Sequence, residues 1–200
     1  MRITVVLNKE VSMMKVVFIF GPQAVGKMTI GEELSKKMGV PLLFNHMTLD
    51  ILTPFLGWSK DTFRISQMIR CEILESIAKN PDSEGIIMTF SFYFDDQADW
   101  DIFHRYLSIF ESKGIRVSLV ELEASLKERL RRNVTENRLA KKPSKRDLRY
   151  SKKELLTSNK KHRLNSNLGE INHPNYFRLD VTDLSVEAAV DKIMAKFWRI

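Results

Sequence analysis

Two glycines and a lysine at fixed spacing, in Gly21-Pro22-Gln23-Ala24-Val25-Gly26-Lys27-Met28-Thr29, are the residues of this chain best suited to phosphate chemistry. Glycines at that spacing let the backbone turn so that successive N–H groups converge on an anion. A helix opening at the loop's end adds its partial positive charge, and the Lys27 ammonium can reach the outer phosphates. The whole loop is therefore read as a nucleotide-binding site, with Lys27 acting in catalysis. Met28 holds the place where a hydroxyl residue usually ligates magnesium, and the hydroxyl comes one later, at Thr29. Thr29, or water alone, is left to hold the Mg2+ that accompanies ATP.

Positioning such a loop requires a strand before it and a helix after it. Val16-Val17-Phe18-Ile19-Phe20 is apolar and largely β-branched or aromatic, while Ile30, Leu34 and Met38 recur at four-residue spacing before Gly39. This predicts strand, tight loop and amphipathic helix. Downstream, strands are expected over 41–44, 85–90, 115–122 and 176–179. Helices are expected over 50–56 as far as Pro54, 60–79, around Trp100–Phe110, 124–139, 152–162 and 185–197. The row Ile65, Ile69, Ile73 and Ile77 is read as the apolar stripe of the second of these. Alternation of this kind predicts an α/β fold, with a five-stranded parallel sheet between two helical layers. Ligands of such folds gather at the carboxyl ends of the strands, here 21–29, 45–50, 89–96, 121–125 and 180–183.

Two hundred residues, 44% of them hydrophobic and 28% charged, suit one domain with a substantial core. No apolar run approaches a membrane span, and a single cysteine, Cys71, excludes an internal disulfide, so a cytoplasmic protein is expected. Asn8, Lys9 and Glu10 interrupt the short apolar stretch at the start, which is therefore not a secretory signal. Residues 1–14 are read as an N-terminal extension and 15–200 as the domain. Residues 127–163 carry 15 Lys and Arg against 4 Asp and Glu, whereas the whole chain stands at +7, so the remainder is acidic. Either a basic lid over bound phosphates or a surface for RNA accounts for this asymmetry.

The loop, from Phe20 through Gly31-Glu32-Glu33-Leu34 to Gly39, resembles that of adenylate kinase, which ends Gly-Lys-Gly-Thr and also lacks the first hydroxyl. Phe63-Arg64, within Trp58–Gln67, is similar to the Phe-Arg of shikimate kinases, and Arg163 before Leu164 resembles a later arginine of the same group. The resemblance implies a P-loop NTPase fold with a basic helical lid. It also implies that Arg64 and Arg163 hold the acceptor, although Arg64 can equally be a surface arginine. The group cups adenine with backbone after the fifth strand, which places Thr182 near the base. Arg129, Arg131, Arg132, Arg138, Lys141 and Lys142 fall where the group places its lid, and Arg132 and Arg138 are read as stabilising charge during transfer. Two departures point away from shikimate. His46 and Thr48 replace an Asp-x-Asp, and Thr89-Phe90-Ser91-Phe92 replaces a triple glycine.

His46 can bind the acceptor or cap a helix, and Asp50 can be a base or an ordinary helix carboxylate. Asp95 and Asp96 can hold magnesium through water or cap the next helix. Phe90, Phe92, Tyr93 and Phe94 can line an acceptor pocket or pack in the core. The expected function is ATP-dependent phosphoryl transfer to a small molecule other than shikimate. The alternative is a nucleotide-dependent module that binds RNA or protein.

Overall fold

A computed structural model describes residues 14–198 of the chain. The extension read over 1–14 lies outside the described residues except for Met14, which packs against the core. Five strands, β1 (Lys15–Phe20), β2 (Leu42–Leu43), β3 (Gly85–Phe90), β4 (Val117–Glu123) and β5 (Tyr176–Asp180), form one parallel sheet in the order β2-β3-β1-β4-β5. The central strand is buried on both faces, as its unbroken apolar run requires. Val16, Phe18 and Phe20 point to one side, while Val17 and Ile19 point to the other.

Eight helices cover the two faces: α1 (Lys27–Met38), α2 (Asn45–Leu56), α3 (Lys60–Lys79), α4 (Gln97–Glu111), α5 (Leu126–Arg132), α6 (Glu136–Lys141), α7 (Leu148–Lys161) and α8 (Val186–Phe197). Helices α1 and α8 cover the Val17 side through Leu34, Val190 and Ile193. Helices α3 and α4 cover the other side, where Phe18 and Phe20 meet Phe90, Phe103, Tyr106 and Phe110 in mostly edge-on contacts.

Three elements differ from the sequence expectation. Helix α2 begins at Asn45 rather than near Asp50 and carries Pro54 inside its last turn. A proline there removes one hydrogen bond from a helix that ends two residues later. The helix expected over 124–139 is broken at Asn133–Thr135. Asn133 is buried and its side-chain oxygen accepts from Ser151 Oγ at 3.1 Å, which turns the chain out of α5 toward α7. The buried stripe of α3 is Thr62, Ser66, Arg70, Cys71, Leu74 and Ala78, one position off the isoleucine row.

The base of the lid is fixed by a carboxylate in the sheet. Glu121 is fully buried on β4 and accepts from Asn165 Nδ2 at 2.7 Å, the Ser166 amide at 2.9 Å and the Tyr176 hydroxyl at 2.7 Å. The segment leaving α7 is thereby pinned against the end of the sheet. Glu121→Leu removes all three acceptor contacts, and the Ser166 N–H is left with no partner. It should cost about 2 kcal/mol or more of folding stability, the range expected when a buried donor loses its acceptor. Urea denaturation of the variant checks this, and an unchanged midpoint would contradict it.

Candidate active site

The loop after β1 turns sharply because its glycines occupy conformations that side chains resist. Gly21 has φ 134°, and a Cβ there would lie 2.3 Å from the carbonyl oxygen of Leu122. Gly26, at φ 113°, precedes α1, and no side chain caps that helix, so its first amides are left for another acceptor. Lys27 Nζ donates to the carbonyls of Gly21 at 2.6 Å and Pro22 at 2.7 Å. Those bonds hold the ammonium over the loop it would share with a phosphate chain.

A cavity of about 870 Å³ opens above this loop. One half is walled by the loop, the lid and the turn from β5 into α8, including Arg131, Arg132, Arg138, Lys142 and Val181. The other half is walled by α2, α3 and the start of α4, including His46, Phe63, Arg70 and Asp99. The lid lies against the body through an ion pair from Lys141 to Glu32 and a hydrogen bond of 2.8 Å from Ser144 Oγ to Asp50.

From the phosphate loop, Gln23, Ala24, Val25, Gly26, Lys27, Met28 and Thr29 all line the cavity. Gln23 donates to the hydroxyls of Tyr93 and Ser158, tying the loop to the third strand's end and to α7. Arg138 also lines the cavity, and its buried Nε has no partner among the described residues. Arg132 lines it in a different role. Its guanidinium donates to the carbonyls of Val25 and Val181, both at 2.7 Å, and pairs with Glu128 at 2.6 Å. It clamps the loop to the turn after β5. In that turn the Thr182 hydroxyl accepts from the Ser125 amide and bonds Asp180, so Thr182 shapes the wall without lining it.

Several sequence candidates lie elsewhere. Arg64 points away on the surface of α3 and pairs with Asp61 at 3.0 Å. Arg163 is forked onto Glu170 and donates to the carbonyl of Phe94 at 2.9 Å, with its guanidinium over that ring. Asp95 receives the Arg163 amide at 3.0 Å and faces His162, away from the cavity wall. Asp96 caps α4 by accepting from the Ala98 amide. Of the aromatic run, Phe90 and Tyr93 line the cavity, while Phe92 and Phe94 pack in the core with Phe103 and Trp100. Asp50 is drawn into a small network with His46 Nδ1 at 3.1 Å and Ser144, linking α2 to the lid.

The cavity contains residues that sequence pattern did not single out. Asp99, in the first turn of α4, accepts from the Tyr93 amide at 2.8 Å. Arg70 on α3 is buried and donates to Thr48 Oγ1 at 3.1 Å and the Asn45 carbonyl at 2.9 Å. Lys145 pairs with Glu154 and sits 5.6 Å over the Trp58 ring. Asp99 falls four residues after Asp95, so an aspartate near the end of the third strand was the available signal. The polar interruption at Ser66 and Arg70 was the corresponding signal in α3.

The electrostatics divide the cavity. Burial pulls Lys27 well below the usual lysine value, and Lys142, Arg138 and Arg129 add to the effect. Burial, with Arg138 and Lys145 nearby, lowers Lys142 to about 7. Burial also lowers Arg138. Lys142 has no hydrogen-bond or ion-pair partner among the described residues. Opposite them, burial raises Asp99 to about 6, and the nearby Asp96 carboxylate adds to this. Burial lowers His46 despite its bond to Asp50, which favours the neutral imidazole.

No family model matches the chain, and none of the curated proteins matches it in sequence. Solved structures do resemble it. A gluconokinase from Sinorhizobium meliloti is 16% identical with a TM-score of 0.57, covering 91% of this chain and 90% of that one. A shikimate kinase from Acinetobacter baumannii in complex with shikimate is 14% identical with a TM-score of 0.57, covering 92% and 93%. An APS kinase from Mycobacterium tuberculosis in complex with AMPPNP and APS is 14% identical with a TM-score of 0.57, covering 92% and 97%. At these identities the likeness concerns architecture, and the chain has the three-layer α/β/α fold of the P-loop small-molecule kinases.

Proposed function

We propose that this protein is an ATP-dependent phosphotransferase that moves the γ-phosphoryl group to a small-molecule hydroxyl. The observation that carries this reading is the convergence of Lys27, Arg138 and Lys142 on one cavity wall. Arg138 and Lys142 lower the proton affinity of Lys27, Arg138 lowers that of Lys142, and none of the three forms an ion pair among the described residues. A triphosphate laid along the glycine loop supplies the missing counter-charge. The likeness to kinases, one of them solved with AMPPNP, supports the same reading.

In the transfer, the acceptor oxygen forms a bond to the γ-phosphorus as the bond from that phosphorus to the bridging oxygen of ADP breaks. Charge spreads onto the γ-oxygens and the leaving oxygen. Lys27, Arg138 and Lys142 are placed to stabilise it in a cavity where water screens little. Arg132 holds the loop and the base-side turn at fixed separation. The hydroxyl proton passes to the Asp99 carboxylate and then to solvent. Magnesium fits this wall as a companion of the nucleotide, since Thr29 and Asp99 line the cavity and no metal-binding cluster of three His, Cys, Asp or Glu occurs among the described residues. Thr29 would be the side chain nearest to holding such an ion, which would supply charge neutralisation of the phosphates.

The second reading, a nucleotide-dependent RNA-binding module, draws on Arg149, Lys152, Lys153, Lys160 and Lys161, which are exposed on α7. It predicts RNA affinity that falls steeply with salt.

Lys27→Ala should reduce transfer from labelled ATP by about 10²-fold or more, as for other preorganised charges. A folded variant with normal turnover would contradict the assignment. The pH profile tests Asp99. Its elevated value means that the proton-accepting carboxylate is depleted below about pH 6, so kcat/KM for the acceptor, measured at saturating ATP, should rise with pH through that point. Asp99→Asn should lower kcat by about 10²-fold or more and abolish the rise. A variant that keeps the same acid limb would assign the base elsewhere.

A further inference from the structure

We infer that the phosphoryl acceptor is a neutral alcohol carried on a flat heteroaromatic ring, a nucleoside being the simplest such compound. This rests on the phosphotransferase reading and concerns the half of the cavity formed by α2, α3 and α4. Among the described residues of those helices that line it, Arg70 is the only lysine or arginine. Its guanidinium is already engaged with Thr48, the Asn45 carbonyl and the Asn45 side chain, and it faces Tyr106. Lys145, which reaches this half from the lid, is paired with Glu154. The unpaired cations stand on the loop and lid, where the triphosphate lies. A carboxylate or phosphate on the acceptor would meet only the Arg70 guanidinium, which is already held by Thr48 and Asn45, and would lie beside the Asp99 carboxylate.

The same wall offers ring surface. Trp58 and Phe63 are both exposed at the cavity, with centroids 6.0 Å apart and planes tilted by 32°. Leu49, Phe90 and Ile102 continue the apolar lining inward. Gln67 lies one helical turn beyond Phe63 on α3, lines the cavity, and makes no hydrogen bond among the described residues. An aromatic face with an amide one turn away presents stacking surface beside a paired donor and acceptor, which is how proteins read the edge of a heterocycle. A polyol would leave the Trp58 and Phe63 rings uncovered. The reaction balances as in any transfer to an alcohol: the substrate hydroxyl loses its proton to Asp99, gains the γ-phosphoryl group, and ADP departs.

Matched acceptors test the inference. The protein is incubated with labelled ATP and magnesium and with each common nucleoside, each corresponding 5′-monophosphate, or free ribose. At least one nucleoside should be phosphorylated with kcat/KM about tenfold or more above its monophosphate and above ribose. Phe63→Ala and Gln67→Ala should raise the KM for that nucleoside while leaving the KM for ATP unchanged. Preferential transfer to monophosphates or ribose overturns the acceptor assignment. So does the absence of transfer together with no quenching of tryptophan fluorescence by any nucleoside. In either case, ATP binding by the unaltered protein keeps the phosphotransferase reading standing. An unaltered protein that binds no ATP overturns that reading itself.

Discussion

Repulsion among cations held close together in poorly solvated surroundings is the constraint on which the rest of this structure depends. Lys27, Arg138 and Lys142 come from the end of a loop, a short helix and the turn after it, yet they face one cavity and form no ion pair among the described residues. Lys27 is steadied only by the carbonyl dipoles of Gly21 and Pro22. Folding such a cluster costs free energy, and the surrounding architecture must supply it. The double-sided core around β1 and the Arg132 clamp hold the loop that ends at Lys27, and the buried Glu121 network holds the segment after α7.

The two halves of the cavity are coupled through polar side chains rather than through the core. Ser144 on the lid bonds Asp50, which also meets His46, while Lys141 pairs with Glu32 on α1. The segment that carries Lys141 and Ser144 is therefore held to α1 and to α2, one wall of the cavity. Gln23 makes a corresponding connection on the other side, joining the loop after β1 to Tyr93 and to Ser158 of α7.

Local signals were legible in the sequence wherever one segment determined its own geometry. The phosphate loop is such a case, since the glycine positions and the flanking strand and helix lie within about one supersecondary unit. The parallel sheet and both helical layers followed from alternation, while the strand order did not. What could not be read was helical phase. Arg64 and Arg70 sit on the same helix, and only the packing of α3 decides that Arg70 turns inward and Arg64 outward. The isoleucine row drew attention to a neighbouring stripe because a helix lining a polar cavity buries Ser66 and Arg70 where an ordinary core helix would bury apolar residues. Asp95 and Asp99 differ in the same way, one turn apart in a segment whose orientation is set by Arg163 and Tyr93. Arg163 itself was assigned by likeness to an acceptor, and Glu170, seven residues further on, holds it instead.

Proton uptake on nucleotide binding tests the central claim most directly. Lys142 titrates near pH 7 and Lys27 lies well below its usual value, because each is buried beside other cations. Phosphates would raise both, so at pH 8 binding must draw protons onto the protein, and affinity must weaken as pH rises from 7 to 9. The phosphate groups of ATP, with a second ionisation near ~6, contribute little at that pH. Calorimetric titration with ATP at pH 8, in buffers of different ionisation enthalpy, should show net proton uptake that largely disappears in Lys142→Met. Binding without proton exchange, or with proton release, would contradict the account.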